Sequence, residues 1–343
     1  MKIIIDAMGG DNAPAEIVKG ALLAQKEFGV DVVLVGREAE VIACLADEGV
    51  SLPRAGIELR NATEVVEMED DPATVTRRKK DSSMTVALNM LRDGEGDAVV
   101  SAGSTGALLT GATLLVKRVR GIRRAAMAPA LPNNGNGVLL MDCGANVECT
   151  PEYLLQFAYM GSFYARSIMG YEKPRVGLLN VGVEESKGGE LQKQAYALLK
   201  QAGEEGRINF IGNVEARELL SGDVDVLVTD GFSGNILLKG VEGTIKFLMH
   251  SFKDIFSSSL KNKLAAAVVY GDMRQLKHRM DVNEVGGTAL LGISKPVIKA
   301  HGSSDARAIR SAVRQAIRFI EADVVGEITE NVEYMRLKEE KDS

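Results

Sequence analysis

DAVVSAGSTGALLTGATLLV (residues 97–116) couples a short unbroken apolar run to a turn of small and polar residues and then to an apolar stretch with helical spacing. An unbroken run, rather than an alternating one, is what a strand covered on both faces requires. Six more runs of the same kind follow along the chain: KIIID (2–6), DVVLVG (31–36), GVLLMDC (137–143), RVGLLNV (175–181), RINFIG (207–212) and VDVLVT (224–229). Longer helical patterns separate them. The alternation predicts an α/β fold in which a mostly parallel sheet lies between helix layers.

The chain has 343 residues, of which 45% are hydrophobic and 26% charged. That composition is globular and long enough for one large α/β unit or two modest domains. No Pro- or Ser-rich linker and no repeat divides it. The expectation is one domain over residues 1–335, with a helical, strand-free arm at about 244–280 and a charged tail at 336–343. Three cysteines (Cys44, Cys143, Cys149) form no CxxC pair, and three scattered histidines (His250, His278, His301) suggest no metal cluster. A reducing cytosol fits that usage best. The N-terminus MKIIIDAMGG is too short in apolar residues for a signal peptide, and no stretch of 18 apolar residues occurs. A net charge of −6 argues against a general nucleic-acid binder. Nucleotide, serine-hydrolase and zincin signatures are missing.

In open α/β sheets ligands bind at the carboxyl ends of strands, so the strand-end turns are the candidate site. In Ser101–Gly106 the glycines allow close backbone approach, and free amides at the helix start favour an anion. The same residues fit a tight turn that needs Gly only for its geometry. Asn180–Gly189 places Lys187 in a Gly-rich turn, either as a point charge for phosphate or as a solvated lysine. Thr229–Asn235 precedes a helix, with Ser233 as an ordinary N-cap and Asn235 as a donor toward a developing oxyanion. Lys299–Asp305 opens the last long helix, with Ser303 or Ser304 as the expected cap and Asp305 favoured by the helix dipole. A lone histidine is more often structural, which ranks His301 below its loop.

Seven longer motifs carry a resemblance: DAMGGDNAP (6–14), SAGSTGALL (101–109), DCGANVE (142–148), NVGVEESKG (180–188), IGNVEARELL (211–220), TDGFSGNILLK (229–239) and VIKAHGSSDARAI (297–309). In this order they resemble the phosphate acyltransferase family known as PlsX, from residue 1 to about 325. The resemblance implies a three-layer α/β/α sandwich similar to isopropylmalate dehydrogenases and phosphotransacetylases. It also implies a homodimer, no metal or organic cofactor, and acyl carrier protein thioesters as donors to inorganic phosphate. The acyl phosphate product would supply a membrane-bound glycerol-3-phosphate acyltransferase in phospholipid synthesis. Ser104 departs from the family pattern, where Asn is expected, and Cys143 stands where an aliphatic residue is usual.

Phosphate is already anionic at neutral pH, so its attack on a thioester needs positioning and charge compensation more than a strong base. The phosphate-holding candidates are Lys187, the turn Gly103, Ser104, Thr105 and Gly106, and the turn Gly302, Ser303 and Ser304. Asn235 is the oxyanion donor, and His301 assists the leaving thiol. Three other readings compete: a phosphotransacetylase or phosphotransbutyrylase using coenzyme A thioesters, a metal-requiring NAD-dependent dehydrogenase of similar fold, and a non-catalytic scaffold for lipid enzymes.

The arm carries Ile245, Leu248, Phe252 and Ile255 at helical spacing, and Leu260, Leu264 and Val268 as a second apolar row. Residues 251–280 hold six Lys/Arg against two Asp, a local excess of +4 in an acidic chain. The first row suits a contact between protomers. The second row, with Lys261 and Lys263, suits an acidic carrier protein or an anionic membrane surface, making the expected location cytoplasmic and peripherally membrane-associated.

Overall fold

The computed structural model describes residues 1–54, 56–280 and 287–337, with backbone alone at 277–279. The seven apolar runs are all strands, and five further strands join them. In chain order they are β1 (Lys2–Asp6), β2 (Asp31–Gly36), β3 (Ile57–Asn61), β4 (Ala98–Ser101), β5 (Ala126–Ala128), β6 (Ala130–Leu131), β7 (Val138–Met141), β8 (Arg175–Asn180), β9 (Asn209–Glu215), β10 (Val226–Val228), β11 (Thr288–Leu291) and β12 (Val297–Lys299).

These strands divide between two sheets rather than forming one. The first has the order β3-β2-β1-β4-β12-β11-β5, parallel from β3 to β12, with β11 antiparallel to both neighbours. The second has the order β6-β7-β10-β8-β9, with only the short β6 antiparallel.

Successive side chains of each strand enter different cores, which is why the runs are unbroken. Ile3 and Ile5 pack with Ile17, Val18 and Ala21 of the helix Ala15–Phe28, while Ile4 packs on the other face with Leu88 and Leu91 of the helix Ser83–Asp93. In the second sheet Leu139 and Met141 face Phe157 and Ala158 of the helix Pro151–Ser167. Leu140 faces Leu219 and Leu238 instead. Each fully buried side chain of this kind contributes about 1.5–3 kcal/mol. One apolar cluster, on the Ile3 and Leu139 faces, is continuous across both sheets.

Two helix starts differ from expectation. The helix Gly231–Ser257 is capped by Asp230, whose carboxylate accepts the Ser233 amide at 2.8 Å, so Ser233 is not the cap. Asp305 caps the helix Ala306–Glu321 by accepting from the Ala308 amide at 2.9 Å, and neither Ser303 nor Ser304 does so. In both cases a carboxylate gains from the helix dipole as well as the hydrogen bond.

The helix Gly231–Ser257 buries only Gly231, Gly234 and Leu238, then leaves the core. It is followed by the helices Leu260–Val268, none of whose residues is buried, and Tyr270–Met280. The helical arm therefore grows out of a site-forming turn. Leu260, Leu264 and Val268 are 76%, 64% and 85% exposed, and Lys261 and Lys263 are exposed beside them. The side chains of Lys277, His278 and Arg279, and residues 338–343 of the tail, lie outside the described residues. Among the described residues no helix is long and apolar enough to cross a membrane.

Candidate active site

A cleft of about 760 Å³ opens where carboxyl ends of the two sheets meet. The first sheet contributes the turns after its adjacent strands β1, β4 and β12: Gly10 and Asp11, Ala102–Gly106, and Lys299–Gly302 with Ser304. The second contributes Cys143 and Gly144 after β7, and Asn235, Leu238, Lys239 and Glu242 from the helix after β10. Met8, Val65, Val66, Met68, Met127 and Leu238 give the cleft an apolar side.

The β4 turn is built from a buried carboxylate. Asp6 accepts the Ser101 hydroxyl at 2.7 Å, and Ser101 Oγ accepts the Gly103 amide at 3.1 Å. The Gly103 amide therefore faces inward and is spent. The amides with no helical carbonyl to bond are those of the first turn, starting at Thr105 and Gly106, and they point an N-terminal dipole at the cleft. Ser104 makes no capping hydrogen bond, so the free donors at this helix start are backbone amides. A side chain at 103 has no room: its Cβ would come to 2.8 Å from Met84 Cε and 3.3 Å from Ser101 Oγ.

The β12 turn leans on the β1 turn. The Asp11 amide donates to the Gly302 carbonyl at 2.8 Å, and Asn12 Nδ2 donates to the carbonyls of Ser303 and Ser304 at 3.3 and 3.2 Å. His301 Nδ1 accepts the Ser303 amide at 3.2 Å, so the neutral ring carries its proton on Nε2. Burial lowers the His301 pKa, Lys239, Lys299 and Lys246 add to the effect, and Glu242 opposes it. The Ser304 hydroxyl is buried and has no hydrogen-bond partner among the described residues.

On the opposite wall, Asp142 accepts the amides of Met127, Cys143 and Asn146 at 2.8, 2.6 and 2.7 Å and so ties the β7 turn together. Burial raises its pKa to about 6, against those hydrogen bonds. Gly234 is required here, because a Cβ would fall 2.0 Å from the Asp142 carbonyl oxygen. That close approach seats the long helix on the β7 turn and brings Asn235 into the cleft beside Gly144. Burial lifts the Cys143 thiol to about 12, so it is no nucleophile at neutral pH.

Of the candidates named from sequence, Gly103, Ser104, Thr105, Gly106, Asn235, His301, Gly302 and Ser304 line one cleft. Ser303 adjoins it through His301. Lys187 does not line it: the side chain is exposed, on a loop after β8, one strand further from the first sheet than β10. Sequence reasoning passed over Asp6, Ser101, Asp142 and, above all, Lys299. That lysine is 7% exposed at the end of β12 and lines the cleft, with burial drawing its pKa down to about 8 against the charges of Asp6 and Asp11. The signal available for it was a lysine inside an otherwise apolar run, VIKA.

Residues 1–327 match the family model described as fatty acid synthesis protein. The chain belongs to that family. Its relatives include the phosphate acyltransferase of Geobacillus thermodenitrificans, 48% identical over 97% of this chain and 99% of that one. The phosphate acyltransferase of Lysinibacillus sphaericus is 46% identical over 98% and 100%. The motif resemblance to the PlsX family is thereby confirmed. Among solved structures, a phosphotransacetylase from Streptococcus pyogenes superposes with a TM-score of 0.62 over 95% of this chain and 94% of that one, at 17% identity. A branched-chain phosphotransacylase from Enterococcus faecalis does so with a TM-score of 0.54 over 93% and 98%, at 15% identity. At such identities the likeness concerns the fold alone, and it agrees with the α/β/α architecture expected.

Proposed function

We propose that the chain is an acyltransferase that moves the acyl group of an acyl carrier protein thioester onto inorganic phosphate, giving acyl phosphate and the free carrier thiol. The observation that carries this reading is a cleft of about 760 Å³ lined both by strand-end turns with free backbone amides and by apolar side chains that suit an acyl segment. Family membership and the shared name of the relatives support it. Phosphate sits against the Thr105 and Gly106 amides and the Gly302–Ser304 turn, its oxygen attacks the thioester carbonyl, and Asn235 donates to the oxyanion. The C–S bond breaks on collapse, and the carrier's thiolate leaves with His301 Nε2–H at hand. No acyl-enzyme is required.

In this reading residues 1–335 work as one unit and the acyl phosphate feeds a membrane-bound glycerol-3-phosphate acyltransferase. The two apolar rows of the arm serve pairing of two copies and docking of the acidic carrier or an anionic membrane surface, and the exposed Lys187 attracts anionic substrates. The test is incubation with acyl carrier protein thioester and phosphate, trapping acyl phosphate as its hydroxamate. Phosphate-dependent loss of thioester with trapped product is expected. Turnover of coenzyme A thioesters instead would shift the reading to a phosphotransacetylase.

A further inference from the structure

We propose that Lys299 is the cationic anchor for phosphate in this cleft, with the Ser304 hydroxyl as a second donor and Asp6 as the residue that positions the facing turn. This rests on the reading of the cleft as a phosphate site, and it relocates the charge compensation from an exposed loop to a buried strand end.

Lysine is almost never buried to this degree unless something compensates its charge. The ammonium of Lys299 donates to the carbonyls of Ala102, at 3.3 Å, and Ala300. An ammonium has three donors, and among the described residues no third acceptor is found for it. No carboxylate oxygen among them lies within 4.0 Å of it either. Asp6 and Asp11 act on it only through their field. Lys299 and Ser304, whose buried hydroxyl has no partner among the described residues, are both among the residues that line the cleft. A cation held by two carbonyls but by no carboxylate, and a hydroxyl without a partner, both on residues that line one cavity, together lack an anion with several acceptor oxygens. Phosphate supplies both.

Asp6 links the two halves of this arrangement. Its carboxylate holds the Ser101 hydroxyl, which fixes the Gly103 amide and hence the turn whose first helical amides face the cleft. Its charge, together with that of Asp11, also opposes the lowering of the Lys299 pKa by burial. It touches no ligand in this scheme and acts through Ser101 and Lys299.

The experiment uses the full chain. Inorganic phosphate should raise the melting midpoint of the parent protein and not that of Lys299→Met. In the transfer assay Lys299→Met should lower kcat/KM for phosphate by roughly 100-fold or more, a charge-pair loss, and leave the KM for acyl carrier protein thioester within about threefold. Ser304→Ala should lower it by about tenfold, the loss of one hydrogen bond to a charged group. Asp6→Asn should move the alkaline limb of the phosphate profile to lower pH, because removing that field lowers the lysine's pKa further; a merely structural aspartate would leave the limb in place. Equal phosphate protection of the parent and Lys299→Met overturns the anchor whether or not thioester is consumed. If Lys299→Met does not fold, Lys299→Arg and Ser304→Ala carry the test, and unchanged phosphate KM in both overturns it. Protection through Lys299 in a protein that never consumes thioester overturns the acyl-transfer reading and leaves the anchor standing.

Discussion

Two lysines follow the same sequence logic, Lys299 at the end of β12 and Lys187 in the Gly-rich loop after β8, and they differ in almost every physical respect. Lys187 belongs to a loop whose backbone is pinned: Asn180 accepts the Val181 amide at 2.8 Å and donates to the Lys187 carbonyl at 3.1 Å, and Asn213 donates to the Glu184 carbonyl at 2.9 Å. Its side chain nevertheless stands in solvent, where a point charge is screened and worth little. Lys299 lies in a desolvated cleft where the same charge is worth several-fold more. The difference comes from the place of the parent strand: β12 neighbours β4 at the mouth, whereas β8 is separated from β7 by β10. Glycine content makes a turn; the strand order decides whether that turn reaches the site.

The sharpest way to break this contrast is to remove each charge in turn. Lys299→Met should reduce phosphate use by roughly 100-fold or more, about 2.7 kcal/mol of lost transition-state stabilisation. Lys187→Ala should cost less than about threefold, both measured as initial rates against phosphate concentration. A large loss from Lys187→Ala in a folded protein would return the phosphate to the β8 loop.

Next in size is the turn itself. Gly103→Val must push Met84 or Ser101 aside and should cost about 1–3 kcal/mol of stability by overpacking, read as the shift in denaturant midpoint. Activity should fall more than tenfold, since the Ser101-to-Gly103 hydrogen bond orients the amides that follow. Ser104→Ala should retain most activity, because Ser104 makes no capping bond. Comparable losses in the two would contradict the backbone account.

The pH dependence sharpens the comparison further. Lys299 is charged below about 8, so phosphate use should fall as pH rises through that value. Stability should move the other way. A lysine whose folded pKa is depressed from 10.5 to about 8 costs stability in full below about 8. That cost is relieved as pH rises toward 10.5, where the unfolded chain also loses the proton. Chemical denaturation across that window should show the parent gaining on Lys299→Met.

The smallest catalytic effect is expected at the arm. Leu260→Glu with Leu264→Glu should leave soluble turnover within about twofold, these side chains being exposed and not among those that line the cleft. Flotation with anionic vesicles should show loss of binding. Survival of binding in that variant would leave the arm with pairing or carrier docking alone.

How much of this was legible follows from strand composition. Runs such as DVVLVG announce themselves because both faces are buried, whereas β3 (IELRN) is an edge strand with charged side chains, and β5, β6 and β12 have three residues or fewer. Missing β12 hid Lys299, because a lysine is read as buried only when the strand that carries it has been recognised. The caps failed for a related reason: Ser233, Ser303 and Ser304 are good capping types, but a neighbouring aspartate competes and wins at both helices. The turns at Gly103–Gly106 and Gly302–Ser304 were legible because their glycines and amides act locally. The convergence of those turns on Asn235 was not, since it depends on two sheets meeting.

The helix Gly231–Ser257 also fixes a length. Asn235 sits in its first turns and Ser257 at its last, so at about 1.5 Å per residue the two are roughly 33 Å apart along one uninterrupted axis. If the helix stood upright on a surface, that length would separate the surface from the cleft by more than a fully stretched fatty chain. In that pose, and under the proposed reaction, an acyl group could not stay rooted in the surface while its other end reacted; it would have to arrive carried and depart free.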